Sequence, residues 1–115
     1  MMTLFRIFLA TIIAVVGIYT AVVVANHGMG LLPVFFGDIA KMEWPGQFNM
    51  DFLSFLLLGG FWLMWRHHFS VLGIILGVSI FAGGAPYLCA YLLLASFQAK
   101  GDVKEILLGR ERAAA

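Results

Sequence analysis

The sequence predicts an all-α integral membrane fold: three transmembrane helices, an interfacial first loop and a short C-terminal amphipathic helix, in one membrane domain over residues 1–115. Three observations predict it. Hydrophobic residues make up 63% of the chain and charged residues 11%, against roughly 45–50% and about 25% in soluble domains. The apolar residues fall into three long runs instead of being spread at amphipathic spacing, and the polar residues gather between and after those runs. A soluble fold of this length could not cover so much apolar surface, so the bilayer is the expected solvent and the first partner.

The first span is predicted at about 4–25, matching the roughly 20 residues that cross a hydrocarbon core about 30 Å thick. It is too long for the roughly 7–15-residue core of a signal peptide, so a retained helix is expected. Arg6 stands at its end, where it can snorkel to the headgroups. Ala10, Ala14, Gly17, Ala21 and Ala25 form a small-residue stripe at helical spacing, suited to close helix packing.

The second span is predicted at about 48–66, with Asp51 as its only ionisable residue before Arg66. Trp44 precedes it and Trp62 and Trp65 close it, as amphipathic rings do at membrane interfaces. Arg66, His67 and His68 then form a tight polar turn. The third run, Phe69 to Phe97, has no charge and is too short for two crossings of about 20 residues plus a turn. One long helix over 69–97 is therefore expected, kinked at Pro86, with Gly73 and Gly77 as a close-packing pair.

The loop from His27 to Gln47 carries Leu31–Phe36, an apolar segment too short to cross and suited to the interface. In the tail, 98–115, Asp102 and Glu105 read as a capping box for a short helix ended by Gly109. Three crossings would put the first loop and the tail on one side with Lys41, Lys100, Lys104, Arg110 and Arg112, leaving Arg6 and Arg66 on the other. Five positive residues against two predict a cytoplasmic C-terminus.

Chemistry is sparse. A net charge of +1 gives no electrostatic basis for nucleic-acid binding. Cys89, the one cysteine, sits within an apolar run and reads as a small core side chain. His67 and His68 are adjacent, point in different directions and lack the spacing of a metal set, so no metal or cofactor is expected. The most informative stretch is Trp44 to Phe52, which places Gln47, Asn49 and Asp51 at the start of a span. One reading is helix capping, because the first N–H groups of a helix need acceptors in lipid. The other is a proton, cation or ligand site, since intramembrane carboxylates mark pathways. Its neighbours at the same depth would be Thr20 and His27 from the first helix, and Tyr91 and Ser96 from the third.

The Trp44-Pro45, Gln47-Phe48, Asp51-Phe52 and Trp62…Trp65-Arg66 pattern resembles a family of short bacterial and plant membrane proteins with about three spans and no assigned activity. The resemblance covers roughly residues 44–97. It implies no substrate or catalytic residue and draws attention to Asp51, Trp62 and Arg66; the expected location is a bacterial inner membrane.

Three functions stay open. A non-catalytic accessory subunit, packing against other membrane helices or its own copies, suits the small-residue faces and the lack of a catalytic set. A homo-oligomeric transporter or channel would use Asp51. An enzyme acting on lipid or quinone would need a second converging acid–base group.

Overall fold

A computed structural model describes residues 2–115 as α1 (Met2–His27), α2 (Leu31–Ala40), α3 (Trp44–Arg66), α4 (Val71–Gln98), α5 (Val103–Leu108) and α6 (Arg110–Ala114). No strand occurs among the described residues. α1, α3 and α4 are the three helices long and apolar enough to cross a membrane, as the three apolar runs require.

The interfacial segment is a full helix, α2, with Pro33 in its first turn, where a missing N–H leaves no bond unmade. α3 begins at Trp44, earlier than the expected start at 48. Pro45 occupies a first-turn position, which its fixed φ favours. Trp44-Pro45-Gly46 is therefore the first turn of the helix. Gly46 lets α2 and α3 meet: a Cβ there would lie 2.3 Å from the Asp38 carbonyl oxygen. Asn49 completes this junction by donating through Nδ2 to the Phe35 carbonyl at 3.0 Å.

The expectation of one continuous helix over 69–97 does not hold. Gly84 has φ 61° and ψ −141°, which breaks the helix; such positive-φ backbone belongs almost only to glycine. The two arms, 71–83 and 85–98, fold side by side. Tyr87 Oη donates to the Leu76 carbonyl across them at 2.8 Å. A Cβ on Gly83 would lie 2.4 Å from Tyr87 Cβ, so the bend requires glycine there too.

Both arms pack on α3. The first runs antiparallel to it: Gly84 meets Phe52, Gly77 meets Gly60, and Gly73 meets His67. A Cβ on Gly77 would stand 2.6 Å from the Gly60 carbonyl oxygen, so the two backbones touch. The second arm returns alongside α3, bringing Leu88 to Gly59 and Tyr91 to Trp62. Leu56, Leu63 and Ile80 form the core between them. Each arm is shorter than the roughly 20 residues of a crossing. The hairpin tip therefore stops about 21 Å from Arg66, taking α3 at about 1.5 Å per residue from Phe52.

This hairpin changes which groups share an end of the molecule. The N-terminus of α1, the turn after α3 and the tail now lie together, because Arg6 bonds Ser96 and Arg66 bonds α5. Arg6, Arg66, Lys100, Lys104, Arg110 and Arg112 gather at this basic end, with Lys41 alone at the other. The expected separation of Arg6 and Arg66 from the tail is corrected accordingly.

Candidate functional site

The polar side chains converge at the basic end. α5 has six residues, too few to be stable alone; its Glu105 carbonyl accepts from the Gly109 amide at 2.8 Å, while those of Ile106 and Leu107 have no backbone partner within the helix. α3 supplies those partners. Arg66 donates through Nε to the Ile106 carbonyl at 2.7 Å and through Nη2 to that of Glu105 at 3.2 Å. Trp62 Nε1 donates to the Leu107 carbonyl at 3.0 Å. A planar guanidinium suits this task because its donors sit in a fixed fork, and its charge suits the negative end of a helix.

Two further arginines bond helix-end carbonyls that already accept a backbone N–H, that of Ser96 from Gly101 at 2.9 Å and that of Trp65 from His68 at 3.0 Å. Arg6 donates to Ser96 Oγ and to the Ser96 carbonyl, both at 3.0 Å, near the C-terminus of α4. Arg112 donates to the Trp65 carbonyl in the last turn of α3. Each guanidinium also covers an aromatic ring: Phe97 at 3.9 Å, Tyr91 at 5.5 Å and Trp65 at 4.0 Å. Three arginines thus tie α1 to α4, α3 to α5 and α6 to α3.

Tyr91 is the hub. Its hydroxyl receives Arg66 Nη1 at 2.6 Å and lies 2.5 Å from His67 Nε2. With its oxygen accepting from Arg66, the phenol can direct its own proton to His67 Nε2 when that imidazole is neutral with its proton on Nδ1. The electrostatics agree. Burial, then the like charge of Arg66 and of His68, hold His67 below its ordinary pKa. On the outer side, His68 Nε2 lies 3.4 Å from Glu111, and Arg110 pairs with Glu105 at 3.9 Å. These groups surround a polar cleft of about 310 Å³ between the turn and the tail.

The residues expected to form one constellation are dispersed. Tyr91 and Ser96 stand at the basic end, far from Asp51. His27, at the end of α1, lines a separate apolar surface groove with Tyr19 and Val22; Thr20 is exposed on the same helix. Asn49 holds α2. Asp51 and Gln47 share an open groove with Glu43 and Ser54. Asp51 is exposed and belongs to none of the ion pairs among the described residues. It is not a first-turn cap either, since α3 begins at Trp44 and Glu43 is its N-cap residue. Trp44 is 72% exposed at the start of α3.

Sequence reasoning missed the roles of Arg6, Ser96 and Arg112. The signal was the Gly83-Gly84-Ala85-Pro86 stretch: taken as a reversal, it returns Tyr91 and Ser96 to the end where Arg6 and Arg66 lie.

An all-α membrane protein with a hairpin-shaped third apolar helix and an arginine-clasped tail is the class that fold and site define. Comparison with protein-family models, curated proteins and solved structures gives no significant match for this chain. Its functional reading rests on its own geometry.

Proposed function

We propose that this chain is a non-catalytic membrane subunit that packs against other membrane helices, its basic end facing the cytoplasm of a bacterial inner membrane. The carrying observation is the helix break at Gly84. Phe81, Ala82, Gly83 and Ala85 are exposed around it, at a depth where lipid offers no hydrogen bonds. Non-helical backbone at membrane depth is tolerated only where protein or a water-filled cavity covers it. A neighbouring protein helix is the cover that suits so short a chain. The outer half of α1 supports the same reading. Gly17 meets nothing, and Ala14, Gly17 and Ala21 are all exposed, leaving the stripe free for a second helix. Orientation follows from six positive residues at the basic end against Lys41 alone.

Self-association is the alternative form of this reading, favoured by Asp51. An exposed carboxylate on a spanning helix is costly in lipid, and a facing copy would cover it and create a transporter- or channel-like seam. One experiment addresses both forms. A photo-crosslinking residue placed at Ala82 or Ala85 in the full chain should yield a discrete protein adduct in membranes. A product of twice the chain mass indicates a homo-oligomer, and a larger stoichiometric product indicates an accessory subunit. Adducts with lipid alone at both positions would overturn the proposal.

A further inference from the structure

We propose that the basic end holds one anionic phospholipid of the adjacent leaflet, seated in the groove between the start of α1, the end of α4 and α5. This groove, of about 750 Å³, is lined by Met2, Phe5, Leu92, Val103 and Ile106, with Lys100 among its lining residues. An apolar trough with one convergent charged group has the makeup of a small-molecule site, and its volume lies within the usual range of roughly 300–1,000 Å³.

Three features specify the occupant. The first is depth. Arg6 and Lys100 lie at the end of the apolar helices, which sets the groove at the boundary between acyl chains and headgroups. An acyl chain lying in the trough can place its head beside Lys100.

The second is charge. Of the three carboxylates at this end, Glu105 is paired with Arg110 and Glu111 lies against His68. Asp102 caps α5, accepting from the Lys104 amide at 3.1 Å. None of the ion pairs among the described residues includes Lys100 or Lys104. Lys100 on the lining and Lys104, exposed on α5 next to the lining residue Val103, therefore stand outside any ion pair, the complement of a phosphate joined to a hydrocarbon chain.

The third is rigidity. Lys100 (φ 53°) and Gly101 (φ 81°) form a left-handed turn after α4. Ala99 and Ile106 are buried beneath it. The rim is thus held in place before a lipid arrives. A peptide helix would bring backbone and bulk the trough does not require, and a zwitterionic lipid would gain nothing net from the lysines.

The test uses the full chain in mild detergent, titrated with dioleoylphosphatidylglycerol or dioleoylphosphatidylcholine and read by native mass spectrometry. One phosphatidylglycerol per chain should be retained. Its preference over phosphatidylcholine should be about 30-fold, from about fivefold for each of two lysines at a membrane surface. Lys100→Gln with Lys104→Gln should reduce that preference below about threefold. Val103→Trp, which fills the trough from an exposed position, should abolish retention of either lipid. Circular dichroism checks that each variant keeps its helices. If the lysine variant loses them, Lys100→Arg substitutes for it and should keep the preference. Equal retention of both lipids by the unaltered chain would overturn the proposal. So would undiminished preference in the folded lysine variant, displacement of phosphatidylglycerol by equimolar oleate, or a second copy of the chain in place of lipid.

Discussion

Replacing Arg66 with methionine, which keeps an unbranched apolar stem and deletes the guanidinium, should release the C-terminal tail. Arg66 makes three side-chain hydrogen bonds, to the carbonyls of Ile106 and Glu105 and to Tyr91 Oη. Bonds from a charged donor contribute about 1.5–3 kcal/mol each when buried. These are only partly buried near the headgroups, where water can replace them, so about 1 kcal/mol each is the appropriate scale. The total, about 3 kcal/mol, raises the population of the undocked tail about 100-fold. α5 cannot remain folded when undocked, because one and a half turns do not repay helix nucleation. Trypsin reports this directly, since Lys104 lies within α5 and becomes cleavable only when the helix opens. Cleavage that is slow compared with reclosing follows the open population. Arg66→Met should therefore be cut after Lys104 about 100-fold faster than the unaltered protein. Arg66→Lys should fall between, because a single ammonium cannot serve two carbonyls and a phenol in fork geometry. Cleavage of Arg66→Met at the unaltered rate would show that the arginine is not what holds the tail, and the clasp would have to be abandoned.

Three further outcomes are expected. Cysteines at Lys41 and Lys104 should be labelled by impermeant reagents from opposite sides of the membrane, and labelling from one side would contradict the hairpin in α4. Gly77→Leu should lower the melting temperature substantially, by an overpacking cost of about 1–3 kcal/mol or more where α4 touches α3 backbone; an unchanged melting curve would refute that contact. His67, held below its ordinary pKa by burial and by Arg66 and His68, binds fewer protons folded than unfolded. Its contribution is full above the unfolded value of about 6.5 and is lost as pH falls through the lower folded value. The difference between the unaltered protein and His67→Gln isolates this effect: stability relative to the variant should decline on acidification. A constant difference from pH 8 to pH 5 would refute the neutral His67–Tyr91 arrangement.

The all-α membrane character, the existence of α1, α3 and the tail helix, and the Asp102 cap were legible in the sequence because each rests on local composition. A run of apolar residues with no charge can lie only in lipid or a core, and a helix satisfies its backbone there without outside help. The start of α5 at Asp102 and its end at Gly109 likewise depend on the residues at those positions. The path of α4 was not local. Its length correctly excluded two full crossings, but a glycine at φ 61° and a proline two residues on are equally compatible with a kink and with a reversal. What decides is whether the returning arm finds a surface, and that surface is made by Gly59 of α3 against Leu88, by Trp62 against Tyr91, and by Leu76 against Tyr87. The site followed the path. Asp51 stood out in the sequence as the one carboxylate within a span, yet tertiary packing left it exposed. Arg6, Arg66 and Arg112 read as ordinary boundary charges until the hairpin brought three helix C-termini within their reach. Carbonyls at helix ends can accept a side-chain donor, but which side chain arrives depends on contacts between residues as far apart as Arg6 and Ser96, and only the folded chain supplies those.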